Sequence, residues 1–306
     1  MKKKFTYISI VFIALFFSIY SFLPHFLSKY NTKKTFNELG LTTKELKYDN
    51  DYFEYVEGGE GPVIVFVHGF QSSKNFWVPY MKKLNKDYTI IAIDLPGHGN
   101  SSSPKDQKYD INSLAQTLSR FVEEKGLSDF HLVGSSMGGG VVSIYASEHP
   151  DKLKSLTLMN PLGIDRGLRS ELQLLLENGK NLFFPSSLDE FDEMALYLTG
   201  KKINLNNYFK KYVLTQMNKR YFFFKKAFKE LLSSTPLDNV LPKIETRSLI
   251  IIGKKDRIIH PDSFEYFVEL MPNIKAVRIE NGSHVFVDQS FEQASDSMQE
   301  FLKENS

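Results

Sequence analysis

The chain lacks cysteine altogether and has a single tryptophan in 306 residues. The absence of cysteine excludes disulfide bonds, thiolate nucleophiles and cysteine-ligated zinc or iron–sulfur sites. A large charge of either sign is also missing, because 38 Lys and Arg nearly balance 36 Asp and Glu. We therefore expect no nucleic-acid partner. Hydrophobic residues, in contrast, make up 42% of the chain, enough to bury a substantial core.

Short apolar runs rich in β-branched residues alternate with stretches of helical periodicity. Such runs are typical of strands buried on both faces of a sheet. Their alternation with helices predicts an α/β fold with a mostly parallel sheet flanked by helices. The predicted strands are Pro62–Val67, Tyr88–Ile93, Phe130–Val133, Ser155–Met159, Ser248–Ile252 and Ile274–Ile279, and the predicted helices are Asn112–Lys125, Met137–Glu148, Pro261–Leu270 and Phe291–Leu302. Upstream, Asp49-Asn50-Asp51 predicts a hairpin turn.

The strand pattern is interrupted between Pro161 and Pro236, where only helical stretches are found. It resumes at Ser248, so the interval is interpreted as an insertion into one sheet domain. The predicted organisation is a membrane anchor in residues 1–28, a polar tether in 29–47, a core formed by 48–160 and 236–306, and a helical lid insertion in 161–235.

The N-terminus carries an uncharged run from Phe5 to Leu23 behind Lys2, Lys3 and Lys4. A helix of about 20 apolar residues spans a bilayer core. A cleaved signal peptide is the alternative, but its apolar region is normally shorter and ends in small residues. The run therefore favours a single-pass membrane anchor. Lysines flank both of its ends, and the crowding of charge at the very start favours an extracytoplasmic catalytic domain.

A second unusual segment lies inside the insertion. From Gly200 to Lys229 there are nine Lys or Arg, no Asp or Glu, and eight Phe or Tyr. Basic and aromatic side chains together suit the surface of an anionic bilayer. The same pattern also fits a lid helix that packs its aromatic residues on the core and keeps its lysines in water. Both interpretations remain open, and they are compatible.

The residues from Gly134 to Gly138 have the pattern G-x-S-x-G between a predicted strand and a predicted helix. This context is that of a nucleophile elbow, in which the serine sits on a sharp strand-to-helix turn. Ser136 is therefore the candidate nucleophile. Ser135 is the rival, but it lacks a glycine two residues earlier. The helix that follows supplies N–H groups for a developing oxyanion.

A serine hydroxyl needs a base, and the base needs a carboxylate that fixes its tautomer. His284 follows the strand Ile274–Ile279, and Asp256 follows the strand Ser248–Ile252. Carboxyl ends of parallel strands meet at one edge of the sheet, where ligands bind. The chain order Ser136, Asp256, His284 is the order of serine hydrolases built on such a sheet. Asp262 is a weaker rival to Asp256.

The loop after the first core strand, His68-Gly69-Phe70, is the expected source of a second oxyanion donor. We assign the oxyanion hole to the backbone N–H groups of Phe70 and Met137. Substrate contacts are expected from His68, Gly69, Phe70, Ser135, Leu162 and Val285. This chemistry requires no metal and no organic cofactor.

Taken together, these motifs resemble the α/β-hydrolase superfamily over about residues 50–306. The further motifs are Pro96–Ser101, Gly253–Asp256 and Gly282–His284. Within the superfamily the chain looks most like membrane-anchored monoacylglycerol lipases and related bacterial lipases and esterases. That likeness rests on the N-terminal run, on Asn160–Gly163 and on Pro185–Phe191. The stretch Val285–Val287 departs from the sequence of many relatives, so the resemblance does not define the residues of the acyl pocket.

The resemblance implies a serine hydrolase that cleaves lipid-like acyl esters through an acyl-enzyme. A serine at the elbow speaks against epoxide hydrolases and haloalkane dehalogenases, which carry aspartate there. A thioesterase or a C–C bond hydrolase on the same fold is the alternative. A non-catalytic membrane scaffold is a further alternative, although it would have no need of three ordered catalytic residues.

Overall fold

The computed structural model describes residues 31–164, 166–234 and 236–306. One eight-stranded sheet has the order β1-β2-β4-β3-β5-β6-β7-β8. The pairs β1/β2 and β2/β4 are antiparallel, and all other pairs are parallel. The strands are β1 (Thr42–Tyr48), β2 (Asp51–Gly58), β3 (Val63–Val67), β4 (Thr89–Ile93), β5 (Phe130–Ser135), β6 (Leu153–Met159), β7 (Ser248–Gly253) and β8 (Ile274–Ile279). The six predicted strands and the predicted hairpin are therefore confirmed.

Helices cover both faces of this sheet, as predicted. They are α1 (residues 31–38), α2 (Val78–Leu84), α3 (Ile111–Glu124), α4 (Met137–Glu148), α5 (Glu171–Glu177), α6 (Leu188–Thr199), α7 (Asn207–Lys219), α8 (Tyr221–Leu232), α9 (Ser263–Leu270) and α10 (Asp288–Lys303). Successive strand side chains point to opposite faces. Thus Val65 and Val67 pack with the face covered by α3, α4 and α9, whereas Ile64 and Phe66 pack with the face covered by α2 and α10.

Within the predicted tether of residues 29–47, the structure describes residues 31–47 and gives them regular structure. Residues 31–38 are helical, and β1 begins at Thr42. Phe36 and Leu41 are 3% and 2% exposed in the core under α2 and α10. Because Phe36 and Leu41 are buried, residues 31–47 pack as part of the folded domain. The polar composition of the segment gave no sign of these two buried side chains.

Between β6 and β7 the described residues form the four helices α5 to α8 and no strand. Side-chain caps define where three of them begin. Ser170 caps α5 in a capping box with Gln173, Ser187 caps α6, and Asn206 caps α7. These helices cover the carboxyl end of the sheet, where the candidate site lies.

The predicted membrane anchor, Phe5–Leu23, lies outside the described residues. Within residues 31–164, 166–234 and 236–306, no helix combines the length and the apolar composition that crossing a membrane requires.

Candidate active site

Ser136 occupies the turn between β5 and α4 in a conformation that side chains rarely adopt, with φ 55° and ψ −121°. The turn closes because its neighbours are glycines. A Cβ on Gly134 would lie 2.5 Å from the Gly138 carbonyl oxygen, and a Cβ on Gly138 would lie 2.4 Å from the Val67 carbonyl oxygen. The Ser136 amide donates to the Met159 carbonyl at 2.9 Å. The pattern G-x-S-x-G is thus a steric requirement of this turn.

Three side chains from three loops form a hydrogen-bonded row. Ser136 Oγ lies 3.0 Å from His284 Nε2, and His284 Nδ1 lies 2.7 Å from Asp256 Oδ2. Asp256 and His284 are 5% and 6% exposed. The other oxygen of Asp256 accepts the amides of Ile258 and Ile259 at 2.8 and 2.9 Å. The carboxylate is therefore fixed by the backbone, and it orients the imidazole with Nε2 towards the serine.

Asn160 holds the two loops of this row together, and sequence reasoning missed it. Its amide nitrogen donates to the carbonyls of Ser283 and His284 at 3.1 and 2.8 Å, while its oxygen accepts the Gly253 amide at 2.8 Å. The residue is 1% exposed and has a positive φ of 42°. Asparagine tolerates this left-handed conformation. An Asn directly after a buried strand was the available signal.

The loop after β3 lies against the serine. A Cβ on Gly69 would approach Ser136 Cβ to 3.1 Å, so only glycine allows this spacing without displacement. The Phe70 and Met137 amides donate no hydrogen bond to another residue within the described part of the chain. Unpaired N–H groups beside a serine are what an oxyanion hole requires.

His68 stabilises this loop instead of lining the site. Its side chain is buried, with Nδ1 donating to the Gly69 carbonyl at 2.7 Å and Nε2 accepting the Leu95 amide at 3.1 Å. Burial lowers the pKa of His68 to about 4, so the neutral ring is maintained. The structure does not bring the ring of His68 to either cavity described below, and both ring nitrogens are engaged.

A buried ion pair supports the same loop from behind. Lys74 Nζ lies 2.6 Å from Asp94 Oδ2 and 2.6 Å from Glu54 Oε1. Asp94 Oδ1 also accepts the Lys74 amide at 2.7 Å, and Asp94 Oδ2 accepts the Asn100 amide at 2.9 Å. Asp94 thus ties the loops after β3 and β4 together.

Two cavities open at Ser136. Cavity A encloses about 750 Å³ and cavity B about 980 Å³, each partly open to solvent. Cavity A includes Met137, Leu162, Leu168, Leu172, Leu176, Leu231, Leu232 and Ile258. Cavity B includes Gln71, Ser72, Phe76, Ser135, Phe191, Met194, Leu198, Val213, Met217, His284 and Val285.

The remaining predicted contacts fall on these cavities. Leu162 lines cavity A, while Gly69, Ser135 and Val285 line cavity B, and Phe70 lines both. The rival acid Asp262 lies at the start of α9, where its amide bonds His260 Nδ1 at 3.2 Å, and it makes no contact with His284. Much of the cavity wall comes from α5 to α8. No short sequence motif predicts which side chains of these helices line the cavities.

A family model described as the alpha/beta hydrolase fold matches residues 62–291. The chain belongs to the alpha/beta hydrolase family. Among its relatives is monoacylglycerol lipase abhd6-B of Xenopus laevis, 28% identical over 86% of this chain and 83% of the relative. Lipase 1 of Psychrobacter immobilis is 27% identical over 87% and 85%.

A solved structure of a bacterial membrane phospholipase A superposes with a TM-score of 0.90 at 29% identity, over 98% of both chains. This alpha/beta hydrolase is accordingly a serine ester hydrolase of lipase type, as the sequence motifs predicted.

Proposed function

We propose that this hydrolase cleaves acyl esters of lipids, of the kind represented by monoacylglycerols, with a triad of Ser136, His284 and Asp256. The observation that carries the proposal is the hydrogen-bonded row of these residues at the junction of two largely apolar cavities. The row supplies a nucleophile and a base, and the cavities supply room for hydrocarbon.

In the first half-reaction, Ser136 Oγ attacks the ester carbonyl while His284 Nε2 accepts its proton. Asp256 accepts the Nδ1–H bond, holds the imidazole in the required tautomer and stabilises the imidazolium. The negative oxygen of the tetrahedral intermediate is placed to accept from the Phe70 and Met137 amides. His284 then donates the proton to the leaving alkoxide, which departs as an alcohol and leaves an acyl-serine.

In the second half-reaction, a water molecule gives its proton to His284 Nε2 and adds to the acyl carbonyl. The intermediate collapses, the proton returns to Ser136 Oγ, and the fatty acid leaves. One water is consumed for each ester bond cleaved, and no metal or organic cofactor takes part in these steps.

We interpret the helices α5 to α8, which lie within the predicted insertion of residues 161–235, as the lid over this site. Arg220, between α7 and α8, donates to the Gly97 and Gly99 carbonyls. Phe223 packs within 2.1 Å of where a Cβ on Gly97 would lie. On the other side, the Val285 amide donates to the Leu198 carbonyl at 2.7 Å. The lid is thus attached at the loop after β4 and at the histidine loop.

Membrane attachment belongs to the same proposal. The apolar run Phe5–Leu23 is our candidate anchor, with the catalytic domain on the extracytoplasmic side. The lid supplies a candidate second contact, for which we propose α8. Lys210 is unsuitable because it is 8% exposed and lies 2.6 Å from Asp192. The exposed side chains of α8 form a stripe, Phe222, Lys225, Lys226, Lys229 and Leu232.

The test is to label the purified protein with a fluorophosphonate probe and to measure hydrolysis of matched oxygen esters and thioesters. Labelling that is lost in Ser136→Ala but kept in Ser135→Ala, with faster cleavage of the oxygen ester, is the expected result. Faster cleavage of the thioester would favour a thioesterase. A protein that neither reacts with the probe nor cleaves any ester would be a scaffold, and the proposal would be wrong.

A further inference from the structure

Cavities A and B have different walls and share only a few lining residues, at the reacting centre. Three residues line both of them: Phe70, Ser136 and Phe183. The rings of Phe70 and Phe183 meet edge to face, with centroids 5.7 Å apart. These two rings therefore form a partition, and an ester carbonyl at Ser136 would send one limb into each cavity.

The two cavities differ in their position relative to the base. His284 lines cavity B and not cavity A, whereas Met137, which carries one candidate oxyanion donor, lines cavity A and not cavity B. The leaving oxygen must reach His284 to receive a proton. The alcohol limb is therefore directed into cavity B and the acyl limb into cavity A.

The wall of cavity B has a polar part and a larger apolar part. Gln71, Ser72 and Ser135 contribute the polar groups. The apolar part comes from Phe76, Phe191, Met194, Leu198, Val213, Met217 and Val285. A bare glycerol has no hydrocarbon to bury there, and its hydroxyls find few partners along this wall. A hydrocarbon chain gains free energy from the same burial.

Building on the proposed ester hydrolysis, we propose that the preferred substrates carry two hydrocarbon chains, with the acyl chain in cavity A and a second chain, attached to the alcohol, in cavity B. Two-chain glycerolipids meet this requirement, whereas monoacylglycerols fill only one cavity. Hydrolysis consumes one water, releases a fatty acid from cavity A, and leaves an alcohol that still bears its own chain in cavity B.

The test uses the full chain and three octanoate esters that differ only in the alcohol, namely methyl, butyl and octyl octanoate, in mixed micelles at one surface concentration. We expect kcat/KM to rise at least ~10-fold from the methyl to the octyl ester. A flat alcohol series beside a retained dependence on acyl length would overturn the two-chain proposal and leave ester hydrolysis standing. Failure to hydrolyse any ester would overturn both.

Filling one cavity at a time sharpens the test. Val213→Trp narrows cavity B from α7. It should lower the ratio of kcat/KM for octyl octanoate to kcat/KM for methyl octanoate by at least ~10-fold, which removes the advantage of the octyl ester in the wild type. Val268→Trp is the matched control, because Val268 is 38% exposed on α9 and lines neither cavity, so the ratio should stay as in the wild type. Leu176→Trp narrows cavity A, and it should shorten the preferred acyl chain instead.

Fluorophosphonate labelling reports whether each variant folds with a competent serine. Should Val213→Trp fail to label, Met217→Trp fills the same cavity one helical turn later. A labelled cavity-B variant that keeps the wild-type ratio would contradict the assignment of the alcohol chain to cavity B. Dioctanoylglycerol and monooctanoylglycerol then extend the comparison to glycerolipids, and a preference for the monoacyl compound would overturn the proposal.

Discussion

Two parts of the catalytic pocket are held by different forces. We call the loops that carry Ser136, Asn160, Asp256 and His284 the floor, and the helices α5 to α8 with their connections the roof. In the floor, buried hydrogen bonds of 2.7 to 3.1 Å fix His284, Asp256 and Asn160 to one another and to the backbone. In the roof, α5 to α8 meet the site mainly through apolar side chains. Phe228 of α8, for example, packs on Phe70 of the loop after β3 with ring centroids 5.4 Å apart.

This difference teaches which changes each region tolerates. Chemistry at Ser136 depends on reacting groups held in a narrow geometry, so small displacements in the floor are costly. An apolar wall accepts exchanges of similar volume at low cost. Substitutions in the floor should therefore decide whether an ester reacts, and substitutions in the roof should decide which ester reacts.

The largest expected effect is in the floor, at the nucleophile. Ser136→Ala should lower kcat for a short p-nitrophenyl ester by up to ~10⁶, because nothing replaces the attacking oxygen, with little change in far-UV circular dichroism. Ser135→Ala is the matched control, since it alters the neighbouring residue and leaves Oγ of Ser136 in place. Inactivity confined to Ser135→Ala would mean that the elbow is misassigned by one residue.

The orienting acid comes next. Asp256→Asn should lower kcat by ~10⁴, because the amide no longer accepts from His284 Nδ1 as a carboxylate does and the wrong tautomer is favoured. KM should change little, since Asp256 lines neither cavity A nor cavity B. Asp262→Asn provides the comparison. Steady-state kinetics of both variants decide between them, and a larger loss in Asp262→Asn would make the assignment of Asp256 wrong.

Asn160 tests whether the floor needs more than its triad. Asn160→Asp keeps the shape and the acceptor for Gly253 but removes the donor to the Ser283 and His284 carbonyls. We expect kcat to fall by roughly 10- to 100-fold with KM nearly constant, as lost positioning predicts. Asn273→Asp is the matched control, because Asn273 donates to the Glu245 carbonyl on the exposed surface. A lower melting temperature with unchanged kcat would reduce Asn160 to a structural role.

The sheet that carries the floor should also respond to acid. Burial lowers the pKa of His131, on β5, from 6.5 to about 4. Between these values the unfolded chain binds a proton that the native state does not, so the free energy of unfolding falls as pH falls. His131→Gln should recover about 2 kcal/mol of that loss between pH 7.5 and 5. Urea unfolding at the two pH values measures it, and a wild-type-to-variant difference that is independent of pH would contradict it.

The residues of the floor could be predicted from the sequence far better than the packing of the roof. That Ser136, Asp256 and His284 lie together could be predicted, because each follows a strand with a clear apolar run and parallel strands place such loops at one edge of the sheet. Asn160 escaped because its role depends on two carbonyls far along the chain. The division at Phe70 and Phe183 escaped for a similar reason, since it depends on how α5 to α8 pack and no periodicity encodes that packing. Phe36 and Leu41 were missed because they are single buried side chains in a segment that is otherwise polar, and such a segment shows no apolar periodicity.

The smallest expected effect concerns the outer surface of the roof. Phe222 is 85% exposed and Leu232 is 59% exposed, and Lys225, Lys226 and Lys229 lie between them on one face of α8. A chain lacking residues 1–28, and with them the candidate anchor, should still sediment with anionic vesicles, less so in high salt. Each lysine near the surface is worth about 1 kcal/mol there, so replacing all three by Gln should weaken binding by roughly 100-fold.

The matched control for that triple replacement is a single change at Lys210, which is paired with Asp192 and faces inward. Lys210→Gln should leave vesicle binding as it was, even though Lys210 belongs to the same basic segment of the sequence. A loss of binding free energy in Lys210→Gln that is about one third of the loss in the triple variant would mean that net charge, and not the stripe on α8, attracts the protein. Absence of binding to anionic vesicles at low salt would leave the roof as a cover for the two cavities only.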